Sequence, residues 1–222
     1  MASEVWFLII IALVIFNYLF SNILDYLNHK NWKDEIPKEL KDFYDKKKYK
    51  QAKLYALSKN KIGLLSSTIS FLLVVSLLVF NGYGYIDQLV NSFNLNLFLP
   101  FEINNSFTKS GAFFLILFIL NLIISIPFSY YNTFVIEENF GFNKTTKSTF
   151  FFDIIKSSIL SILIGGFLLF LALYLYNSLN DGFWLYLWIG LSLLMVLINM
   201  FYADLIVPIF NKLTPLENGD LR

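Results

Sequence analysis

Cysteine is absent from the 222 residues and histidine occurs once, at position 29. The first absence excludes disulfides, thiolate metal sites, a cysteine nucleophile and lipidated cysteines. The second bears on metal chemistry, because a hydrolytic zinc site takes about three protein ligands, usually with two histidines a helical turn apart. His29 stands in the stretch LDYLNHKNW and reads as a solvated loop histidine. No base is evident for a serine nucleophile, and no glycine-rich phosphate loop is present. Gly165-Gly166 lies in an apolar stretch and reads as a place where helices pack closely. Charge is also scarce: Asp, Glu, Lys and Arg make up 15% of the chain and sum to +1. Nucleic acid is therefore excluded as a general partner, since phosphate binding needs a concentrated basic surface.

The chain has apolar length instead. Hydrophobic residues make up 57% and aromatic residues 19%, and the mean hydropathy is +0.61, more than one water-soluble core requires. Five continuous apolar runs, at about 5–24, 62–80, 111–131, 154–177 and 183–203, can each cross a hydrocarbon layer of about 30 Å as a helix. Lipid offers the backbone no hydrogen-bond partners, and the runs do not alternate as barrel strands would, which predicts an all-α polytopic membrane protein. The lipid bilayer is thus the first partner implied. The first run lacks a basic start and a small-residue cleavage site, and reads as a retained span. Pro127, near the end of the third run, is placed to bend that helix.

Lysine placement predicts orientation. Eleven of the 17 basic residues lie between Lys30 and Lys61, whereas the stretch 81–110 holds only Lys109. By the positive-inside rule the N-terminus is outside, and both the loop holding Glu137 and Glu138 and the C-terminus are cytoplasmic. Pro37 to Leu57 reads as a charged helix, with Leu40, Phe43, Tyr44, Leu54 and Leu57 as apolar contacts, lying on the membrane surface or on another domain. Asn104-Asn105-Ser106 is a glycosylation acceptor triplet on the external side. Abundant Phe, Asn, Lys and Ile suggest an AT-rich genome, and with it a bacterial cytoplasmic membrane in preference to an endoplasmic reticulum membrane.

Polar groups inside apolar runs must face other helices or water. Asn17, Asn22, Asn121, Ser125 and Asn199 are such groups, and Asp204 is the carboxylate near the end of the fifth run. Interhelical hydrogen bonding accounts for the asparagines; Asn121, Asn199 and Asp204 are also candidates to line a hydrated chamber.

Two further segments, IPFSYYNTFVIEENFGFNKTT at 126–146 and ADLIVPIFNKLTPLENGDLR at 203–222, carry a denser pattern. In the first, Glu137 and Glu138 precede Gly141, Phe142, Asn143 and Lys144; in the second, Pro208, Phe210, Asn211, Lys212, Thr214, Pro215, Leu216, Gly219 and Leu221 follow Asp204. Both segments resemble the amino-terminal domain of the type I CAAX prenyl proteases, integral-membrane zinc metalloproteases. The resemblance implies a seven-span helical barrel around a water-filled chamber, of which this chain supplies about five spans. It also implies zinc held by an H-E-x-x-H helix and a more distant glutamate, and peptide or prenylated peptide substrates. The chain ends at Arg222 without an H-E-x-x-H segment, so it is expected to carry no catalytic residue, no metal ligand and no cofactor, and to be inactive alone. The metalloprotease half is its implied partner.

Within the resemblance, Glu137, Glu138, Gly141, Phe142, Asn143 and Lys144 are candidates to dock the protease half or support its site. Asn211, Lys212, Thr214 and Pro215 read as the hinge into it. A plainer account of the first group is a helix end in water, closed by Gly141 in a left-handed conformation, with Lys144 beside anionic headgroups. Two other classes stay open: a noncatalytic membrane scaffold or binding module, and a transporter.

Overall fold

The computed structural model describes residues 2–33, 35–37, 45–92 and 106–213, and among them every regular element is helical. In chain order these are α1 (Ala2–Asn31), α2 (Lys46–Val79), α3 (Gly82–Ser92), α4 (Ser106–Tyr131), α5 (Lys147–Leu179), α6 (Phe183–Phe201) and α7 (Val207–Phe210). Five helices are long and apolar enough to cross a membrane: Glu4–Asn31, Lys46–Val79, Ser106–Glu137, Lys147–Leu179 and Phe183–Phe210. The chain forms two compact units, Met1–Asn104 with Ala112–Lys144, and Asn105–Gly111 with Thr145–Arg222.

In the first unit, α1 and α2 pair through aromatic and polar contacts. The rings of Tyr18 and Phe71 stack at 4.2 Å, and the Tyr18 hydroxyl shares a 2.8 Å hydrogen bond with Thr68 Oγ1. Where the chain leaves α1, the carbonyl of Trp32 accepts from Lys53 Nζ at 2.8 Å and the carbonyl of Lys33 accepts from the Tyr49 hydroxyl at 3.2 Å. Tyr49 is buried there. α2 is entered through Asp45, whose Oδ1 accepts from the Lys48 N–H at 2.6 Å and so satisfies an orphan donor of the first turn. It leaves through Asn81, in the left-handed region at φ 53°, a conformation Asn tolerates better than most residues. A Cβ on Gly82 would lie 2.5 Å from Leu77 Cδ2, so α3 starts hard against α2.

α2 corrects one expectation. From Lys46 to Leu57 the charged stretch after the first span is no separate surface helix: it is continuous with the second span in one helix of 34 residues. At 1.5 Å per residue that is about 51 Å, against a hydrocarbon core of about 30 Å. Residues 62–79 carry no charge, and the lysine-bearing turns before them extend past the bilayer. Leu40, Phe43 and Tyr44 lie outside the described residues, as do Asn104 and Asn105 of the glycosylation triplet.

In the second unit, α5 is capped by Thr146, whose Oγ1 accepts from the Thr149 N–H at 3.1 Å. A 3-10 turn, Asn180–Gly182, joins it to α6. Close packing falls elsewhere than expected: nothing lies within 4 Å of a Cβ built on Gly165 or Gly166, whereas one on Gly190 of α6 would meet Leu171 Cδ2 of α5 at 3.3 Å. Phe107 and Phe170 meet edge to face at 5.5 Å, and the Lys156 ammonium lies 5.9 Å from the Phe210 ring centroid.

Each motif segment carries a π-helical turn, Asn132–Glu137 within the first and Tyr202–Ile206 at the start of the second. The second has a local cause. Pro208 cannot donate to the carbonyl of Asp204, and its ring crowds that carbonyl in an ordinary α-turn. A wider turn, closed by the Val207 N–H on the carbonyl of Tyr202, opens the backbone just upstream. Pro127 lies inside α4, five residues before the first π-turn.

Buried residues are few among those described: Tyr49, Val90, Ile136 and Phe150, with no buried polar or charged side chain. Large apolar side chains point outward along every spanning helix. Such a surface would be a liability in water and is the ordinary condition of helices in lipid.

Candidate functional site: a clasp between the first motif and α2

The end of the third spanning helix is built as a Schellman motif. The Phe142 N–H donates to the carbonyl of Glu137 at 2.8 Å and the Gly141 N–H to that of Glu138 at 3.0 Å. These are the six-to-one and five-to-two bonds that satisfy carbonyls a helix end leaves orphaned. The geometry needs a left-handed residue after the last turn, and Gly141 supplies it at φ 76°. Asn143 reinforces the turn, its N–H donating to the Glu137 carbonyl at 3.2 Å and its Nδ2 to Glu138 Oε2 at 2.8 Å.

Two carboxylates at a helix C-terminus face the negative end of the backbone dipole, an unfavourable placement of roughly 0.3–1 kcal/mol each. α2 supplies the compensation. Glu137 Oε1 accepts from the Tyr55 hydroxyl at 2.7 Å and from Lys59 Nζ at 2.9 Å. Lys59 also donates to the Tyr55 oxygen at 3.2 Å, closing a triangle of three polar groups. The Tyr55 ring meets Phe140 and Phe142 edge to face at 5.2 and 5.0 Å, and Ile136 beside them is buried. Each edge-to-face pair adds about 0.5–1.5 kcal/mol beyond area burial. Lys59 is 42% exposed and Glu137 19%, so the ion pair itself ranks as a partly solvated one, worth about 0–1 kcal/mol.

Tyr55 and Lys59 escaped the reading of the sequence. Their i, i+4 spacing puts both on one face of α2, which was a usable signal, but nothing in the sequence joins them to a residue 78 or 82 positions later. The other residues singled out are placed as follows. Lys144, Asn211, Lys212 and Asp204 are exposed. Asn121 is exposed, and Asn199 is exposed with its Nδ2 donating to the Met195 carbonyl of its own helix at 2.8 Å. Thr214 and Pro215 lie outside the described residues.

His29 is also corrected: it lies in the last turn of α1 and not in a loop. Its Nδ1 is shielded from solvent without a hydrogen-bond partner, and on the helix Asp25 stands one turn before it. Among the described residues, no three His, Asp or Glu side chains gather as metal ligands. The described residues thus offer no three-ligand set of the kind a hydrolytic zinc site takes.

The clasp makes two predictions. Tyr55→Phe removes a hydrogen bond to a charged acceptor and should cost about 1.5–3 kcal/mol, more than Lys59→Ala at about 1 kcal/mol or less; chemical denaturation in detergent gives the order, and equal losses would contradict it. At Gly141 nothing lies within 4 Å of an added Cβ, so the left-handed backbone alone sets the cost. Gly141→Ala should lose about 1 kcal/mol and Gly141→Asn clearly less, measured by the same midpoints.

A family profile described as "CAAX prenyl protease N-terminal, five membrane helices" matches residues 25–212. CAAX prenyl protease 1 of Saccharomyces cerevisiae is 30% identical over 222 residues, covering 98% of this chain and 48% of the yeast protein. The human CAAX prenyl protease 1 homolog is 32% identical over 187 residues, 84% of this chain and 39% of that protein. The crystal structure of S. mikatae Ste24p matches with a TM-score of 0.84 at 28% identity, covering 97% of this chain and 50% of that one. This chain thus spans about half the length of the relatives it matches. With five apolar helices of spanning length, two motif segments and a profile match over most of its residues, the chain belongs to the CAAX prenyl protease N-terminal family.

Proposed function

We propose that this chain is the membrane-embedded, noncatalytic N-terminal part of a zinc metalloendopeptidase acting on peptides, prenylated or otherwise embedded in the membrane. The observation that carries the reading is the continuous match to proteins named as CAAX prenyl proteases, over 98% of this chain and about half of the yeast relative. Zinc ligands and general base would then come from the remaining half. In this reading Glu138, Phe142, Asn143 and Lys144 offer a docking surface for that half, while Glu137 and Gly141 hold the surface in shape through the clasp. Asn211, Lys212, Thr214 and Pro215 form the connection onward, and Asn121, Asn199 and Asp204 line the chamber.

Orientation belongs to the same proposal: N-terminus outside, clasp and C-terminus cytoplasmic. Its support is the lysine asymmetry together with Lys59 meeting Glu137, which puts the charged end of α2 and the end of the third span on one side. A bacterial cytoplasmic membrane draws its only support from composition; the relatives compared above come from eukaryotes.

Two measurements test the proposal. The full-length protein carrying this chain should bind stoichiometric zinc and cleave a prenylated peptide in a chelator-sensitive way, while residues 1–222 alone should do neither. A zinc-free, inactive full-length protein would favour the scaffold reading, and tight zinc on residues 1–222 would contradict the assignment of the ligands. Because the chain has no cysteine, single introduced thiols report topology cleanly. Asn91→Cys should react with an impermeant maleimide on intact cells and Lys144→Cys only after permeabilisation; the reverse pattern would invert the orientation.

A further inference from the structure

Among the described helices longer than one turn, α3 alone is too short to cross a membrane, its 11 residues giving about 16 Å at 1.5 Å per residue. Its sequence, GYGYIDQLVNS, divides cleanly around the helix axis. At about 100° per residue, Tyr83, Tyr85, Ile86, Leu89 and Val90 fall on one side. Asp87, Gln88 and Asn91 fall on the other, and all three are exposed. The apolar side is wider than the protein covers: Val90 is 4% exposed and Tyr83 and Ile86 are partly buried, whereas Tyr85 is 66% exposed and Leu89 48%. One helical turn apart, Tyr85 and Leu89 form an open apolar strip along α3.

α2 sets the depth of this strip. Its uncharged stretch, residues 62–79, is about 27 Å long at 1.5 Å per residue, against a hydrocarbon core of about 30 Å. With Lys61 at one boundary, the far end of α2 lies at the other. Val79 and Phe80 are exposed there, as part of the surface that α2 turns to lipid. The corner that follows is tight: the Tyr85 N–H donates to the Asn81 carbonyl at 3.0 Å, and a Cβ on Gly84 would lie 2.5 Å from Asn81 Oδ1. α3 therefore starts within one turn of the hydrocarbon edge, and its strip takes up where the exposed end of α2 leaves off. Tyrosine suits that level, with an apolar ring and a hydroxyl that water can meet. Charge points to a neutral surface, because residues 81–105 hold no basic side chain and α3 carries Asp87.

We propose that α3 is an interfacial helix docked on a zwitterionic bilayer surface, with Tyr85 and Leu89 in the edge of the hydrocarbon and Asp87 and Asn91 in water. Lipid is the partner because the strip stands at headgroup depth and adjoins a helix end already in lipid. In this pose α3 acts as a depth stop for α2. Sliding α2 one way along its axis would draw Asp87 and Asn91 into hydrocarbon, and sliding it the other way would lift Tyr85 and Leu89 into water. This needs only that α2 crosses a membrane, and it is independent of orientation and of any protease activity.

The test is spin labelling of the full-length protein carrying this chain, with any cysteine outside the chain replaced, in phosphatidylcholine vesicles. Tyr85→Cys, Asp87→Cys, Leu89→Cys and Asn91→Cys each carry one label, and all four side chains are exposed, so no packed group is displaced. Collisions with oxygen should outweigh those with a water-soluble nickel chelate at 85 and 89, as at Leu65→Cys, an exposed position within the span of α2. At 87 and 91 the order should reverse. Adding phosphatidylglycerol should leave the pattern unchanged, and immersion seen only with that anionic lipid would overturn the neutral surface. Nickel ahead at all four sites would put α3 in water, and few collisions with either reagent at 85 and 89 would mean that protein covers the strip; both overturn the proposal. A second reading needs no substitution. A phosphatidylcholine with a photoreactive group near the glycerol end of an acyl chain should mark Tyr85 or Leu89 of the unmodified protein, and the absence of any adduct within 82–92 would count against the docked helix.

Discussion

Glu137 sits where the backbone is least hospitable to it, in the last turn of a helix whose unpaired carbonyls already carry partial negative charge. A cation and a hydroxyl must meet it, and both come from α2, so this one carboxylate fixes the end of the third span against the second. The ring of Tyr55 then has a place between Phe140 and Phe142, and the Schellman turn has a wall to close against. The polar bonds set register, and the Tyr55 hydroxyl bond and the aromatic contacts stabilise to a similar extent, since the partly solvated ion pair contributes little by itself. Without the clasp, the third span would finish in an unsupported helix end.

The two π-helical turns give the motif segments a common backbone feature despite their different sequences. An i→i+5 turn spreads its carbonyls and re-aims the side chains that follow. Glu137 closes the first such turn, and Asp204 lies within the second. In each case a carboxylate is presented at the end of an otherwise apolar helix, one held by a neighbour and the other exposed.

Apolar length made the five spanning helices legible, because runs of 18 or more uncharged residues have few alternatives in lipid. Gly141 was legible as a helix terminator from its place after an acidic last turn. What escaped had physical reasons. The lysine-rich start of α2 looked like a separate element because composition changes at residue 62 while the helix does not, and no hydrogen bond depends on that change. His29 looked solvated because the same boundary hides how far α1 continues. Gly165-Gly166 looked like a packing site, yet a small side chain permits close approach without requiring it, and Gly190 is where α5 and α6 meet. The clasp joins residues about eighty positions apart, and periodicity carries no information at that range. The π-turns have no simple sequence code, although a proline at 208 was a hint for the second.

α2 also couples two sites through a shared phase. Tyr55 and Lys59 belong to the clasp, Gly63, Leu64, Ser67 and Phe71 line an open groove between α1 and α2, and all ride on one uninterrupted helix. Successive residues of such a helix are about 100° apart. Inserting a single residue between Lys61 and Ile62 would therefore keep every existing side chain's identity and rotate the intramembrane face by about 100° relative to the clasp. The helix acts as a keyed shaft, and the number of residues at the membrane boundary sets the phase between its two ends.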